Sequence, residues 1–175
     1  MRVERLPEPL LKFKDGKATY CKFGLDSSGP YDAIKESHKD KINIGIVGIK
    51  EQVEKAREWV ELCNDFIESR PHKEKEEINK ELFPDFPGCG LAFDTRLVSE
   101  ERFIQFIPIS DYARLNSYND IKFTEGLLDI FENRIKLMLE INGDSRPDVI
   151  LCPLTEDMYE KGHIAGNYHR KLKKK

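Results

Sequence analysis

Residues Ile42-Asn43-Ile44-Gly45-Ile46-Val47-Gly48 form a β-branched, almost wholly apolar run. A strand with one face in water alternates apolar and polar side chains. A run that is apolar on both faces belongs in the middle of a parallel sheet, with helices above and below it. The next segment supports this. Val53, Ala56, Trp59, Val60, Cys63, Phe66 and Ile67 recur at three- and four-residue spacing, while Glu54, Lys55, Glu58, Glu61 and Asp65 take the other face. That pattern predicts an amphipathic helix ending before Pro71, packed through its apolar stripe on the sheet. A buried strand followed by such a helix opens a βα unit.

The unit repeats downstream. Phe103 to Ile109 reads as a second strand, and Phe123, Leu127, Leu128, Phe131, Ile135, Met138 and Leu139 mark a long helix closed by Asn142-Gly143, with Pro147 beyond. Asp148-Val149-Ile150-Leu151-Cys152-Pro153-Leu154 reads as another buried strand. Strand, helix, strand, helix, strand predicts an α/β fold, a Rossmann-like domain with a mostly parallel sheet. Between the first helix and the second strand, Arg70 to Lys80 reads as a polar connector of mixed charge. Leu82 to Cys89, with Pro84, Pro87 and Gly88, reads as an ordered apolar loop. Residues 1–40 differ in texture, being cut into short pieces by Pro7, Pro9, Gly16, Gly24, Gly29 and Pro30. Leu10 to Phe13 and Thr19 to Phe23 are expected to pair across a Lys14-Asp15-Gly16-Lys17 turn. The expected organisation is an amino-terminal hairpin or extended arm over 1–40 and a Rossmann-like domain over 41–175.

Composition narrows the function classes. The longest apolar stretch, Ile42 to Ile49, falls far short of the ~20 residues a spanning helix needs, so no membrane partner is expected. The start, Met1-Arg2-Val3-Glu4-Arg5-Leu6-Pro7, lacks the apolar core of a secretory peptide, and a cytoplasmic location is expected. Cys21, Cys63, Cys89 and Cys152 form no C-x-x-C pair and read as free thiols. Cys152 with His163 or His169 would be the one thiol–imidazole candidate. Pro153 follows it directly, however, and no strained nucleophile turn is present, so it reads as a buried inert thiol. His163 and His169, six apart, fall on different faces of a helix, and no metal site is expected from them. Gly45 and Gly48 match neither the dinucleotide nor the phosphate-loop pattern; they read as positions of close packing and of a tight strand-to-helix turn.

The formal net charge of −3 hides an asymmetry. Beyond Glu160 lie six of the 29 Lys and Arg residues and no Asp or Glu, so that end carries +6 and the remainder −9. Such a basic end on an acidic body is, on composition alone, a solvated lysine tail or a local anion site, not a generally nucleic-acid-coating surface. Read as helix, Asn167 to Lys175 places His169 and Lys173 one turn apart on a shared face, a two-point clamp suited to a terminal phosphate. Tyr168 offers a ring for base stacking, with Arg170 and Lys171 as auxiliary cations.

Several phrases also resemble, in order, a known family: Pro9-Leu10-Leu11-Lys12-Phe13, Phe23-Gly24-Leu25, Gly29-Pro30-Tyr31-Asp32, Ile44-Gly45-Ile46-Val47-Gly48, Leu82-Phe83-Pro84-Asp85-Phe86-Pro87-Gly88 and Asp148 to Leu154. Together they look like the MID half of a short prokaryotic Argonaute, a MID–PIWI protein. The resemblance implies a Rossmann-like domain that grips the 5′-phosphorylated end of a single-stranded guide RNA or DNA and stacks its first base. Family pockets carry Tyr or His followed four residues later by Lys, then a Gln and a second Lys, often with a divalent cation and the protein's carboxyl terminus. Here the match falls on His169 and Lys173. Tyr168 is out of register, since Leu172 stands four residues on. The Gln, the second Lys and the PIWI domain with its catalytic acids have no counterpart up to Lys175. The implied module is therefore not an enzyme by itself. No cofactor is expected in it, and Mg2+ would join the 5′-phosphate site only if the pocket were completed. The alternative expectation is a subunit that docks a PIWI-containing or effector protein, through the Leu82–Cys89 loop and the hairpin, without binding a guide.

Overall fold

In the computed structural model of the chain, the described residues are 39–69 and 85–164, together with 9–13, 16, 18, 19, 24 and 28. In chain order the elements are β1 (Leu11–Lys12), β2 (Ala18–Thr19), β3 (Lys41–Gly48), α1 (Lys50–Leu62), α2 (Cys89–Phe93), β4 (Arg96–Val98), a 3-10 turn (Glu101–Phe103), β5 (Ile104–Phe106), α3 (Ile109–Leu115), α4 (Asp120–Asn142), β6 (Val149–Leu151) and α5 (Glu156–Ile164). They divide between two compact units, Met1–Lys41 with Glu61–Leu97 and Ile42–Val60 with Val98–Lys175.

In the second unit β3 has a parallel neighbour on each side. Ile46, Val47 and Gly48 register with Ile104, Gln105 and Phe106 of β5, and Ile44, Gly45 and Ile46 with Val149, Ile150 and Leu151 of β6. Both edges of β3 are thus hydrogen-bonded, and both faces are covered, so Ile44 to Gly48 are buried. This is the mostly parallel sheet and Rossmann-like α/β fold that the apolar run predicts. Alternation along the strand assigns the faces. Val47, with Ile150 of β6, packs into a core with Phe123, Leu127, Phe131 and Met138 of α4, Leu115 of α3 and Met158 of α5. Ile44 and Ile46 turn to the opposite face. Gly45 shares the α4 face but has no side chain. A Cβ there would lie 3.0 Å from both the Met138 sulfur and the Pro147 Cγ, so its absence lets α4 and the loop after it approach the sheet closely.

α4 owes its length to its sequence. Asn119 caps it by accepting from the Lys122 N–H at 3.0 Å, apolar side chains recur along one stripe, and Gly143 ends it at φ +55°. Its contacts run to β5, α3, α5 and the 3-10 turn.

In the first unit β1 and β2 form the expected antiparallel hairpin, Leu11 opposite Thr19 and Lys12 opposite Ala18, with Gly16 at φ +78° in the turn. The expected second strand ran to Phe23; residues 20–23 lie outside the described residues, as do Arg70 to Lys80 and Leu82 to Pro84. Ile67 and Phe86 exchange two backbone hydrogen bonds at 2.8 Å each, so the described part of the apolar loop is non-helical up to Gly88. Gly88 sits at φ +91°, where a Cβ would come 2.5 Å from the Asn64 carbonyl oxygen, and only glycine fits. The Asn64 side chain pairs with both backbone groups of Leu97, accepting from its N–H at 2.8 Å and donating to its carbonyl at 2.9 Å.

Four expectations need correcting. α1 stops at Leu62, tightened by Asn64 and Asp65 bonds back to Glu61 and Leu62, so Phe66 and Ile67 lie beyond it. Trp59 is 56% exposed, because the inward stripe runs through Val53, Ala56 and Val60 and a residue three after Ala56 falls off its edge. The strand expected over Phe103 to Ile109 is confined to β5: Phe103 closes the 3-10 turn, while Pro108, which lacks an N–H, caps α3 and puts Ile109 in a helix. Finally, β6 covers only Val149–Leu151 and, paired to β3, leaves Val149 45% exposed.

The core sets an energetic contrast. Phe131 is fully buried in the second unit's cluster. Phe131→Ala is expected to lower unfolding free energy in urea by about 3–5 kcal/mol, while Trp59→Phe is expected to change it by less than about 0.5 kcal/mol.

Candidate functional site

Parallel α/β sheets present their ligand crevice outside the carboxyl ends of the strands. In the second unit those ends are Gly48 of β3, Phe106 of β5 and Leu151 of β6. They are drawn together by short contacts. The Ile107 N–H donates to the Gly48 carbonyl at 2.8 Å, and a Cβ on Gly48 would lie 3.2 Å from Pro153 Cγ. From this edge α1, α3 and α5 each depart after a short connection.

A polar cluster joins α3 to α5. The Tyr112 hydroxyl donates to Asp157 Oδ2 at 2.6 Å, Lys161 Nζ pairs with Asp157 Oδ1 at 3.2 Å, and the same ammonium donates to Asn116 Oδ1 at 3.1 Å. Beneath it lies Phe123 of α4. Its ring meets Tyr112 edge-on at 6.0 Å, and Lys161 Nζ stands 4.5 Å from its centroid. Thr155, just past β6, accepts from the Met158 N–H at 3.2 Å and so caps the first turn of α5. The hydroxyl of Tyr112, then Lys161, holds the Asp157 carboxyl below its ordinary range. Burial, and then the Asp157 carboxylate, push the Tyr112 phenol up. The cluster therefore fixes α5 with Asp157 ionised and Tyr112 neutral. It also engages Lys161, the first residue of the +6 segment, in two named bonds.

The sequence pointed elsewhere. Tyr168, His169, Arg170, Lys171 and Lys173 lie outside the described residues, and so does the His163 side chain. Tyr112, Asn116, Asp157 and Lys161 were not singled out. Two spacings could have flagged them, since Tyr112/Asn116 and Asp157/Lys161 are each four apart and share a helix face.

Cys152 leaves the carboxyl end of β6 against the α4 core, and burial raises its thiol to about 11. A thiol held so high carries little thiolate near neutrality and is a poor nucleophile. Cys63 and Cys89 are also free thiols raised by burial. Among the described residues no group of three or more His, Cys, Asp or Glu is placed to hold a metal ion, and no helix is long and apolar enough to cross a membrane. In comparisons with known proteins, no family model and no curated protein matches the chain.

Two measurements follow from these environments. Asp157, depressed in the folded state, contributes stability above its ordinary value of 3.8 that is lost as pH falls through its lowered pKa. Tyr112, raised in the folded state, contributes stability below its ordinary value of 10.0 that is lost as pH rises through its raised pKa. Tyr112→Phe should cost about 0.5 kcal/mol at neutral pH, as a solvent-facing hydrogen bond would, and should flatten both limbs of the stability–pH curve followed by thermal unfolding. Iodoacetamide at pH 8 should label Cys152 in the native protein far more slowly than in urea, as read by mass spectrometry of the Cys152 peptide.

Proposed function

We propose that this chain is a guide-binding module, a MID domain of the short prokaryotic Argonaute kind, that holds the 5′-phosphate of a single-stranded RNA or DNA. His169 and Lys173 form the clamp, with Tyr168, Arg170 and Lys171 beside it. One structural observation carries the reading furthest: α5 starts at Glu156, just beyond the carboxyl end of β6, and leads in sequence from the ligand edge of the sheet into the +6 segment. The Tyr112–Asp157–Lys161 cluster anchors that helix on α3. The family phrases of the sequence support the same reading. The module does no chemistry of its own: it binds, orients and presents a strand. Mg2+ would neutralise the phosphate if the remaining pocket groups were supplied.

A second reading, docking of a PIWI-containing or effector protein without guide binding, draws support from the first unit. Leu10, Leu11, Phe66 and Leu91 are 59%, 43%, 60% and 83% exposed there. Exposed apolar side chains mark docking faces where they form one contiguous patch.

Titration with labelled RNA and DNA oligonucleotides, with and without a 5′-phosphate, at two salt concentrations and with and without Mg2+, separates the readings. A guide module prefers the phosphorylated end, loses affinity as salt rises, and loses its preference about tenfold or more in His169→Ala/Lys173→Ala. Equal binding of both ends, abolished by moderate salt and indifferent to that double substitution, would leave the docking reading.

A further inference from the structure

Between α3 and α4, within the second unit, lies a groove of about 480 Å³. Two guanidiniums on its wall share one carboxylate: Arg114 Nη2 is 3.7 Å from Asp111 Oδ1, and Arg134 Nη2 is 3.8 Å from Asp111 Oδ2. At those separations the charges attract, but no hydrogen bond forms. A guanidinium carries five N–H donors in a planar fork. Two forks facing one carboxylate therefore leave both an excess positive charge and unused donors. The Arg134 side chain is only 29% exposed, so it is held against the groove wall rather than free in solvent, and an oxyanion reaching it there would be held more strongly than on an open surface. Asn133 adds an amide to the lining, and Ile130 and Leu137 add an apolar wall. The groove is not a general basic patch. Lys136 is already bonded to Glu132 at 2.8 Å, and Glu140 also lines it. The excess charge is local to the two arginines, and with Glu140 and the Lys136–Glu132 pair counted the groove as a whole is formally balanced, so the unused N–H donors of the two forks are what set it apart.

We propose that Arg114 and Arg134 form a phosphate clamp whose resting occupant is the Asp111 carboxylate. A phosphate oxyanion entering the groove carries more charge and more acceptor oxygens than Asp111. It can take both forks in bidentate fashion, a geometry that suits guanidinium better than ammonium. The shared chemistry is a phosphate group, supplied either by a free diphosphate or by the backbone of a nucleic acid. The clamp lies on different elements from the segment holding His169 and Lys173, so it stands or falls independently of the guide-end site.

Calorimetry tests this with pyrophosphate and with a single-stranded oligonucleotide bearing a 5′-hydroxyl. Both probes are titrated into the full chain carrying His169→Ala/Lys173→Ala, so that the other site does not report. Binding of at least one probe is expected. Its affinity should fall about tenfold or more with Arg114→Gln/Arg134→Gln, and should rise with Asp111→Asn, which removes the internal competitor while keeping its shape. If both probes follow these variants, the clamp accepts backbone phosphate; if pyrophosphate alone does, it takes free phosphate compounds. Absence of binding by either probe at millimolar concentration, or binding indifferent to the Arg variants, overturns the proposal. Should the double Arg variant fail to fold, Arg114→Gln alone, at a side chain 69% exposed, gives the same reading.

Discussion

The backbone pairing of β3 on both of its edges is the constraint on which the second unit rests. A strand bonded on each side has no free peptide groups to offer water, and because both of its faces are also covered, its side chains must be apolar in both directions. Ile44, Ile46 and Val47 meet that demand, and Gly45 meets it by subtraction. Because Gly45 offers nothing on the α4 face, the Met138 sulfur and Pro147 occupy the space a side chain would take. Without that close approach α4 would stand farther from the sheet, and Phe123 and Phe131, fully buried, would lose contacts on the sheet side. The strand's neighbours, its covering helix and the aromatic core beneath the polar cluster are parts of one packing solution.

That dependence explains what could be read in advance. An eight-residue strand with two apolar faces and a 23-residue helix with a repeating stripe both leave periodic marks in the sequence, and both were legible. The Gly16 turn of the hairpin was legible because its chemistry is local. α2, β4 and α3 span five, three and seven residues, too short for a period to develop, and α3 begins where Pro108 interrupts what looks like a continuing strand. Trp59 misled because an aromatic near a stripe looks like part of it until the helix is wound and the angle is counted. The candidate site was less legible than the fold. The bond from Tyr112 to Asp157 joins residues 45 apart, and no spacing rule reaches across that distance.

The polar cluster links architecture to the proposed activity. A module that holds the end of a strand needs its gripping segment to leave the sheet at a fixed angle. A helix of nine described residues has little intrinsic stability from which to supply one. Tyr112 and Lys161 meet at the Asp157 carboxylate, Lys161 also reaches the Asn116 amide oxygen, and Phe123 supports the group from below. The ionised aspartate and the neutral phenol keep this anchor intact across the neutral range. Cys152, at the same edge, is kept out of thiol chemistry by its burial.

The amide of Asn64 has one more consequence. By bonding both the N–H and the carbonyl of Leu97, it fills a position that an added β-strand would otherwise use. A side chain cannot propagate a ladder, so a strand added at Leu97 would first have to displace the Asn64 amide. The same contact that closes the first unit on itself thus disfavours edge-to-edge pairing at Leu97. It does so with a neutral group, needing neither the lysine nor the proline that more often protect a strand's rim.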